Sequence, residues 1–483
     1  MVFKNLIFSL LYFLLIILDF TFCEKHTKEE WKSRSIYQLL TDRFAKDGED
    51  KREKCQNLKD YCGGTFKGIQ MNLDYIAGMG FGAIWISPPL KNKDGSYHGY
   101  HNIDLFSINE NFGTKDELKE LIKECHKKDI WVILDAVPNH MAGDLNIYTF
   151  IPFNESEHYH EECDVNDDST QKEKEDCRIW GMPDLNQENE YVEKTLLKWI
   201  KDMINEYDFD GIRYADVANV PKWFWKKFTE AANTYTLGIV SSDNATYISD
   251  YQNYMDGVGD YPLYYIIRES FSTSMKKLEE YHNNTHTEYL NPIYNGIWIG
   301  NHDNPRFLNG NKEKKLIRNA IIFTLFYEGV PIFYYGDEQY FDGGTNEENR
   351  EVMFGLHDTS SDAYQMIKIA NDVRKSQKIY NEEMVQVYVD DNIYAFSRGK
   401  VLIVVTNYNN VMEKSITLEQ FNDGEKLCNK LIENDCVIVT NKAIKFNLEG
   451  EPKIYVIESN NKNNNEYLLY NYLYLLLLSL FLI

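Results

Sequence analysis

The sequence predicts an α/β protein built on a (β/α)8 (TIM) barrel, with a small domain inserted after the third strand and a C-terminal β-sandwich domain. Three observations lead there. Short apolar runs rich in Val, Ile, Trp and Tyr alternate with helical patterns, the signature of a mostly parallel sheet flanked by helices. Polar and charged residues gather just behind those runs, at 135–140, 213–216 and 301–304, which is where a barrel assembles its working end. Finally, 483 residues with 43% hydrophobic content can bury one large core and a second, smaller one.

Taken in order, the strand candidates are IYQLL at 36–40, AIWIS at 83–87, WVILD at 131–135, GIR at 211–213, TLGIV at 236–240, IWIG at 297–300 and PIFY at 331–334. One more around Gly257 and Val258 makes eight. Residues 141–186 break the alternation with an acidic, cysteine-containing stretch and read as the inserted domain, leaving 24–140 and 187–381 to the barrel. After 382 the runs VQVYV, VLIVV and KIYVI predict the sandwich, over 382–458.

Acidic residues outnumber basic ones 75 to 51, a formal charge of -24. Such a surface repels phosphate backbones and excludes a nucleic-acid partner. The chain opens with Lys4, an apolar run over 6–18 and Thr21-Phe22-Cys23, the layout of a signal peptide over 1–23, with an uncleaved membrane anchor as the alternative. Residues 459–483 join a polar, Asn-rich spacer to an apolar tail without a basic flank, the layout of a glycolipid (GPI) anchor signal. A plain tail anchor is the other reading. Either way the chain is secreted and held at the cell surface or wall. Three Asn-x-Ser/Thr triplets begin at Asn154, Asn244 and Asn283 and suit export. Cysteine spacing suggests local disulfides Cys55 with Cys62 and Cys163 with Cys177, and a third between Cys428 and Cys436. Cys125, in a helical pattern, is then a buried free thiol.

From about 31 to 457 the chain resembles a secreted fungal-type α-amylase of glycoside hydrolase family 13. The resemblance rests on YHGYHNIDLF, DAVPNHM, MPDLN, DGIRYADVANV, GNHDNPRF and NREVMF, in that order. It implies that His98, Tyr100, His140, Arg213, His302 and Arg350 contact a glucosyl ring, and that Asp303 is the third catalytic carboxylate. It also implies a structural calcium held by Asn139, Glu175, Asp184 and the main chain of Asn219, a hard, oxygen-rich set. Two departures stand out. The family nucleophile falls two residues after the barrel arginine, at Ala215, and the family acid falls at Ile239. Asp216 is adjacent, but alternation along a strand turns it away from the face shared by Arg213 and Ala215.

Retaining glycosidases need two carboxyl groups roughly 5 to 5.5 Å apart. The expected function is therefore a pseudoenzyme binding α-glucan or another oligosaccharide. The alternative is an active α-amylase or glucan transglycosylase with non-standard carboxylates.

Overall fold

The computed structural model describes residues 25–458. The expected leader over 1–23 and the tail over 459–483 lie outside the described residues. Among the described residues no helix is long and apolar enough to cross a membrane.

Eight parallel strands form the barrel: β1 (Ile36–Leu39), β2 (Ala83–Ile86), β3 (Trp131–Ala136), β4 (Gly211–Tyr214), β5 (Tyr235–Gly238), β6 (Gly257–Val258), β7 (Gly296–Ile297) and β8 (Val330–Tyr334). Their hydrogen-bonded order runs β6, β5, β4, β3, β2, β1, β8, β7. A parallel bridge between Gly259 and Gly296 joins the two free edges and closes the ring. These strands are buried along almost their whole length, which is why they read as continuous apolar runs.

Helices cover the outside by the usual sequence logic. In α1 (Lys115–Lys127), Thr114 and Glu117 form a reciprocal capping box, and Leu118, Leu121, Ile122 and Cys125 make one buried stripe. Cys125 is the free, buried cysteine expected. The 18-residue α3 (Glu190–Tyr207) starts on the Asn189 side chain and ends where Asp208 takes φ 67°, its inner face carrying Leu196, Trp199, Ile200 and Met203. Between β3 and α3 lies the short helix α2 (Gln171–Asp176), whose end is joined back to the preceding loop by the Cys163–Cys177 disulfide. Further round come α4 (Lys222–Ala232), α5 (Ala245–Asp250), α6 (Tyr261–Ser272), α7 (Lys314–Phe326) and α8 (Asp362–Ser376).

Beyond α8 the chain switches to antiparallel strands. β9 (Met384–Val389), β10 (Ile393–Arg398), β11 (Val401–Thr406), β13 (Lys426–Asn429), β14 (Cys436–Ile438) and β16 (Lys453–Ile457) build one sheet, while β12 (Met412–Thr417) pairs with β15 (Ala443–Leu448). A separate apolar cluster, including Leu402, Val404, Phe421, Phe446 and Tyr455, packs between the two sheets. Disulfides also join Cys55 to Cys62 and Cys428 to Cys436.

Candidate functional site

Loops after the barrel strands, with the segment that follows β3, enclose a cleft of about 990 Å³. Its size suits an oligosaccharide segment. His98, Tyr100, His140, Arg213, His302, Asp303 and Arg350, widely separated in sequence, all line it.

The floor is a closed hydrogen-bond network. Strand register sets Asp135 of β3 beside Arg213 of β4, and Arg213 Nη1 donates to Asp135 Oδ1 at 2.8 Å with both side chains buried. The other carboxylate oxygen accepts from Trp85 Nε1 at 3.0 Å and from the Tyr100 hydroxyl at 2.7 Å. Gln38 Nε2 donates to His302 Nδ1 at 2.7 Å, so the proton of a neutral His302 sits on Nε2, which lies 2.9 Å from the Tyr100 hydroxyl. Burial pushes His302 down to about 4, so it is neutral near pH 7. Tyr100 stacks on His302 and on His98, whose Nδ1 accepts from the Tyr100 backbone N–H at 3.1 Å.

Asp303 stands above this floor with 45% of its side chain exposed. Burial raises its carboxyl, but His302, Arg213 and Arg350 outweigh that and hold it below the usual carboxylate range. Arg350 Nη2 is 3.7 Å from it, while Arg350 Nε donates to the His302 carbonyl at 2.9 Å.

The wall formed by the ends of β4 and β5 is apolar at positions 215 and 239. Ala215 and Ile239 both line the cleft. Ile239 follows the last residue of β5 and packs toward Trp298 across Gly259, where any Cβ would meet Ile239 Cδ1 and Trp298 at 2.7 Å.

Asp216 corrects the expectation drawn from strand alternation. It lines the cleft, 3.7 Å from His140 Nδ1, instead of pointing away. The physical reason is local: β4 ends at Tyr214, and Asp216 takes φ 51°, so the pleat that would send it outward has already stopped. Burial raises its carboxyl to about 6, against the pull of Arg213 and with a push from Asp303.

Of the four expected cation ligands, hydrogen bonds join three. Asn139 Nδ2 lies 2.8 Å from Asp184 Oδ1 and 2.8 Å from the Asn219 carbonyl. Glu175 instead accepts from Gln171 Nε2 at 2.7 Å, one turn back on α2. Asp184 is pushed up to about 7 by burial, opposed by its bond to His160. Burial lowers His160, but its bonds to Asp184 and Glu188 outweigh that and raise it to about 9, so it stands as an imidazolium among carboxylates, with Asp176 a further 3.8 Å contact.

Sequence reasoning did not single out Trp180, which is 83% exposed on the rim, in left-handed backbone beside Gly181. An isolated Trp in an acidic, polar segment is the signal that marks it.

The pattern described as "Alpha amylase, catalytic domain" matches residues 38–392. The chain is 36% identical over 461 residues to Alpha-amylase 2 of Schizosaccharomyces pombe, covering 89% of this chain and 78% of that one. It is 33% identical to an α-amylase of Saccharomycopsis fibuligera, covering 89% and 92%. Among solved structures, an α-amylase from Malbranchea cinnamomea superposes with a TM-score of 0.85 at 31% identity, covering 89% of this chain and 98% of that one. One from Geobacillus thermoleovorans, complexed with acarbose, gives 0.81 at 31%, covering 89% and 99%.

Proposed function

Because the chain belongs to the α-amylase family of glycoside hydrolases, we propose that it is an exported, surface-held member that binds α-glucan oligosaccharides in this cleft and has lost the family's hydrolytic chemistry. The observation that carries this reading is Ala215 and Ile239 on the cleft wall. A methyl group cannot attack an anomeric carbon, and an isoleucine side chain cannot protonate a leaving oxygen. Asp303 alone supplies neither a covalent intermediate nor a proton donor. Transglycosylation passes through the same intermediate and is lost with it. The floor still offers what a bound sugar needs: the Tyr100 and His98 ring faces, and fixed donors at Arg213 and Arg350. Three disulfides support export to an oxidising compartment.

Calcium fits the residues around Asn139. His140 Nε2 faces the Tyr100 carbonyl at 3.0 Å and so carries its proton, which makes Nδ1 an acceptor. Asn139 Oδ1, 2.9 Å away, is an acceptor as well. Turning the amide resolves that conflict and points Oδ1 at Asp184 Oδ1 and the Asn219 carbonyl. Three converging oxygens then call for a cation. Asn139, Asp184 and Asn219 would hold the ion, with Glu175 available by a rotamer change. Its work would be structural, fastening the segment after β3 to the barrel. Addition of a chelator lowers the melting temperature, and calcium at 100 times its Kd restores about 2.7 kcal/mol.

Asp216 supports a second reading, of a slow amylase or transglycosylase with non-standard carboxylates. A buried carboxyl raised to about 6 and a carboxylate held low, on one cleft, are the donor and acceptor that glycoside cleavage requires. The deciding experiment follows reducing-end release from maltooligosaccharides and calorimetric binding in the same samples with calcium. Binding without release supports the first reading. Release that Asp216→Asn abolishes establishes the second, and the absence of both sinks each of them.

A further inference from the structure

We propose that Asn244 carries an N-linked glycan that overhangs the cleft and screens it from long glucan chains. Asn244-Ala245-Thr246 is an acceptor triplet, and Asn244 is exposed. Its side chain is already arranged for modification. Oδ1 accepts from the Tyr247 backbone N–H at 3.0 Å, whereas Nδ2, the atom that would bear the sugar, makes no hydrogen bond among the described residues. A glycan therefore leaves the bond at the start of α5 in place.

Position gives the modification its consequence. Asn244 and Tyr247 line the cleft with Ser241 and Ser242, on the same loop that presents Ile239, and Lys174 and Trp180 line it from the segment after β3. The gap between these walls is narrow, since Lys174 Nζ lies 5.8 Å from the centre of the Tyr247 ring. The other two acceptor triplets, at Asn154 and Asn283, are exposed but do not line the cleft.

The chemistry is ordinary for an exported chain. The Asn244 amide nitrogen displaces a polyprenyl diphosphate from the anomeric carbon of a lipid-linked oligosaccharide. A C–N bond forms, the C–O bond breaks with its electron pair leaving on the diphosphate, and the amide proton passes to a base of the host transferase. Short oligosaccharides that fit inside the cleft still enter, and long chains meet the tethered glycan at its mouth. This inference rests on the reading that the cleft binds α-glucan.

The test uses full-length protein secreted from a glycosylating eukaryotic host, with the Asn244 peptide examined by mass spectrometry. Binding of maltotriose and of soluble amylose is then compared in the wild type, Asn244→Gln, Thr246→Ala, Asn154→Gln and enzymatically deglycosylated wild type. The Thr246 variant removes the acceptor signal while keeping the Asn244 bond to Tyr247. The expected result is a glycan mass on Asn244 and at least a tenfold gain in amylose affinity in the Asn244, Thr246 and deglycosylated samples. Maltotriose affinity stays unchanged in the Thr246 and deglycosylated samples, and the Asn154 variant matches the wild type throughout. An unmodified Asn244, or a modified one whose removal leaves amylose affinity constant, overturns the proposal. Deglycosylated protein that binds neither glucan defeats the underlying binding reading and the screening with it, while the glycopeptide mass separately reports modification.

Discussion

The floor of the cleft and the wall at the ends of β4 and β5 are neighbours built on opposite principles. The floor is charged and mutually dependent: Asp135 neutralises Arg213, and Tyr100 and His302 complete the network. Removing one member strands another in a buried site, so folding demands the whole set whatever chemistry the cleft performs. The wall carries no such obligation. Ala215 and Ile239 are apolar, and Ile239 packs toward Trp298 as a core residue would. The floor by itself is therefore weak evidence of activity.

The sharpest way to break this contrast is to place carboxylates on the wall. Ala215→Asp with Ile239→Glu should raise reducing-end release from maltooligosaccharides by at least about 10²-fold, the lower range for one positioned acid or base. A folded double variant without release would show that the floor is no longer set for catalysis. The floor should respond in stability. Asp135→Ala, which leaves Arg213 buried without its carboxylate, should cost about 3 to 5 kcal/mol in chemical denaturation, whereas Ala215→Gly should cost far less.

Asp216 lies between the two regimes and yields a pH test. Its folded value of about 6 exceeds the ordinary aspartate value of about 3.9. Between these values the folded state keeps a proton that the unfolded state has released, so wild-type stability falls as pH rises from about 4 to about 6. Asp216→Asn should remove on the order of 1 to 2 kcal/mol of that decline, measured as the difference in unfolding free energy across the interval. An unchanged slope would mean that Asp216 is better solvated than its place in the cleft implies. The smallest effect belongs to the rim. Trp180→Ala should leave stability within about 0.5 kcal/mol and weaken amylose binding by about threefold to tenfold, if its exposed ring stacks on a sugar.

Much of this molecule was legible along the chain. Seven of the eight barrel strands appear as apolar runs because strands buried on both faces leave no polar alternation to obscure them. β6, only two residues long, was recognisable chiefly from the count of eight. The motif words placed His98, Tyr100, His140, Arg213, His302, Asp303 and Arg350, and the structure gathers all seven at one cleft. Asp216 was misplaced because alternation holds only while the backbone stays extended, and the strand had ended two residues earlier. The family resemblance implies Glu175 as a cation ligand, yet a short helix gives its carboxylate to Gln171.

The sequence by itself determined the barrel, the inventory of side chains in the cleft, and the identity of the residues at 215 and 239, because these depend on residue type and order. Only the tertiary structure decided where Asp216 points, that Asn139, Asp184 and the Asn219 carbonyl converge, and that Trp180 and Asn244 both line the cleft. Those outcomes turn on where a strand stops and on single backbone angles, which are set by packing between segments far apart in the chain.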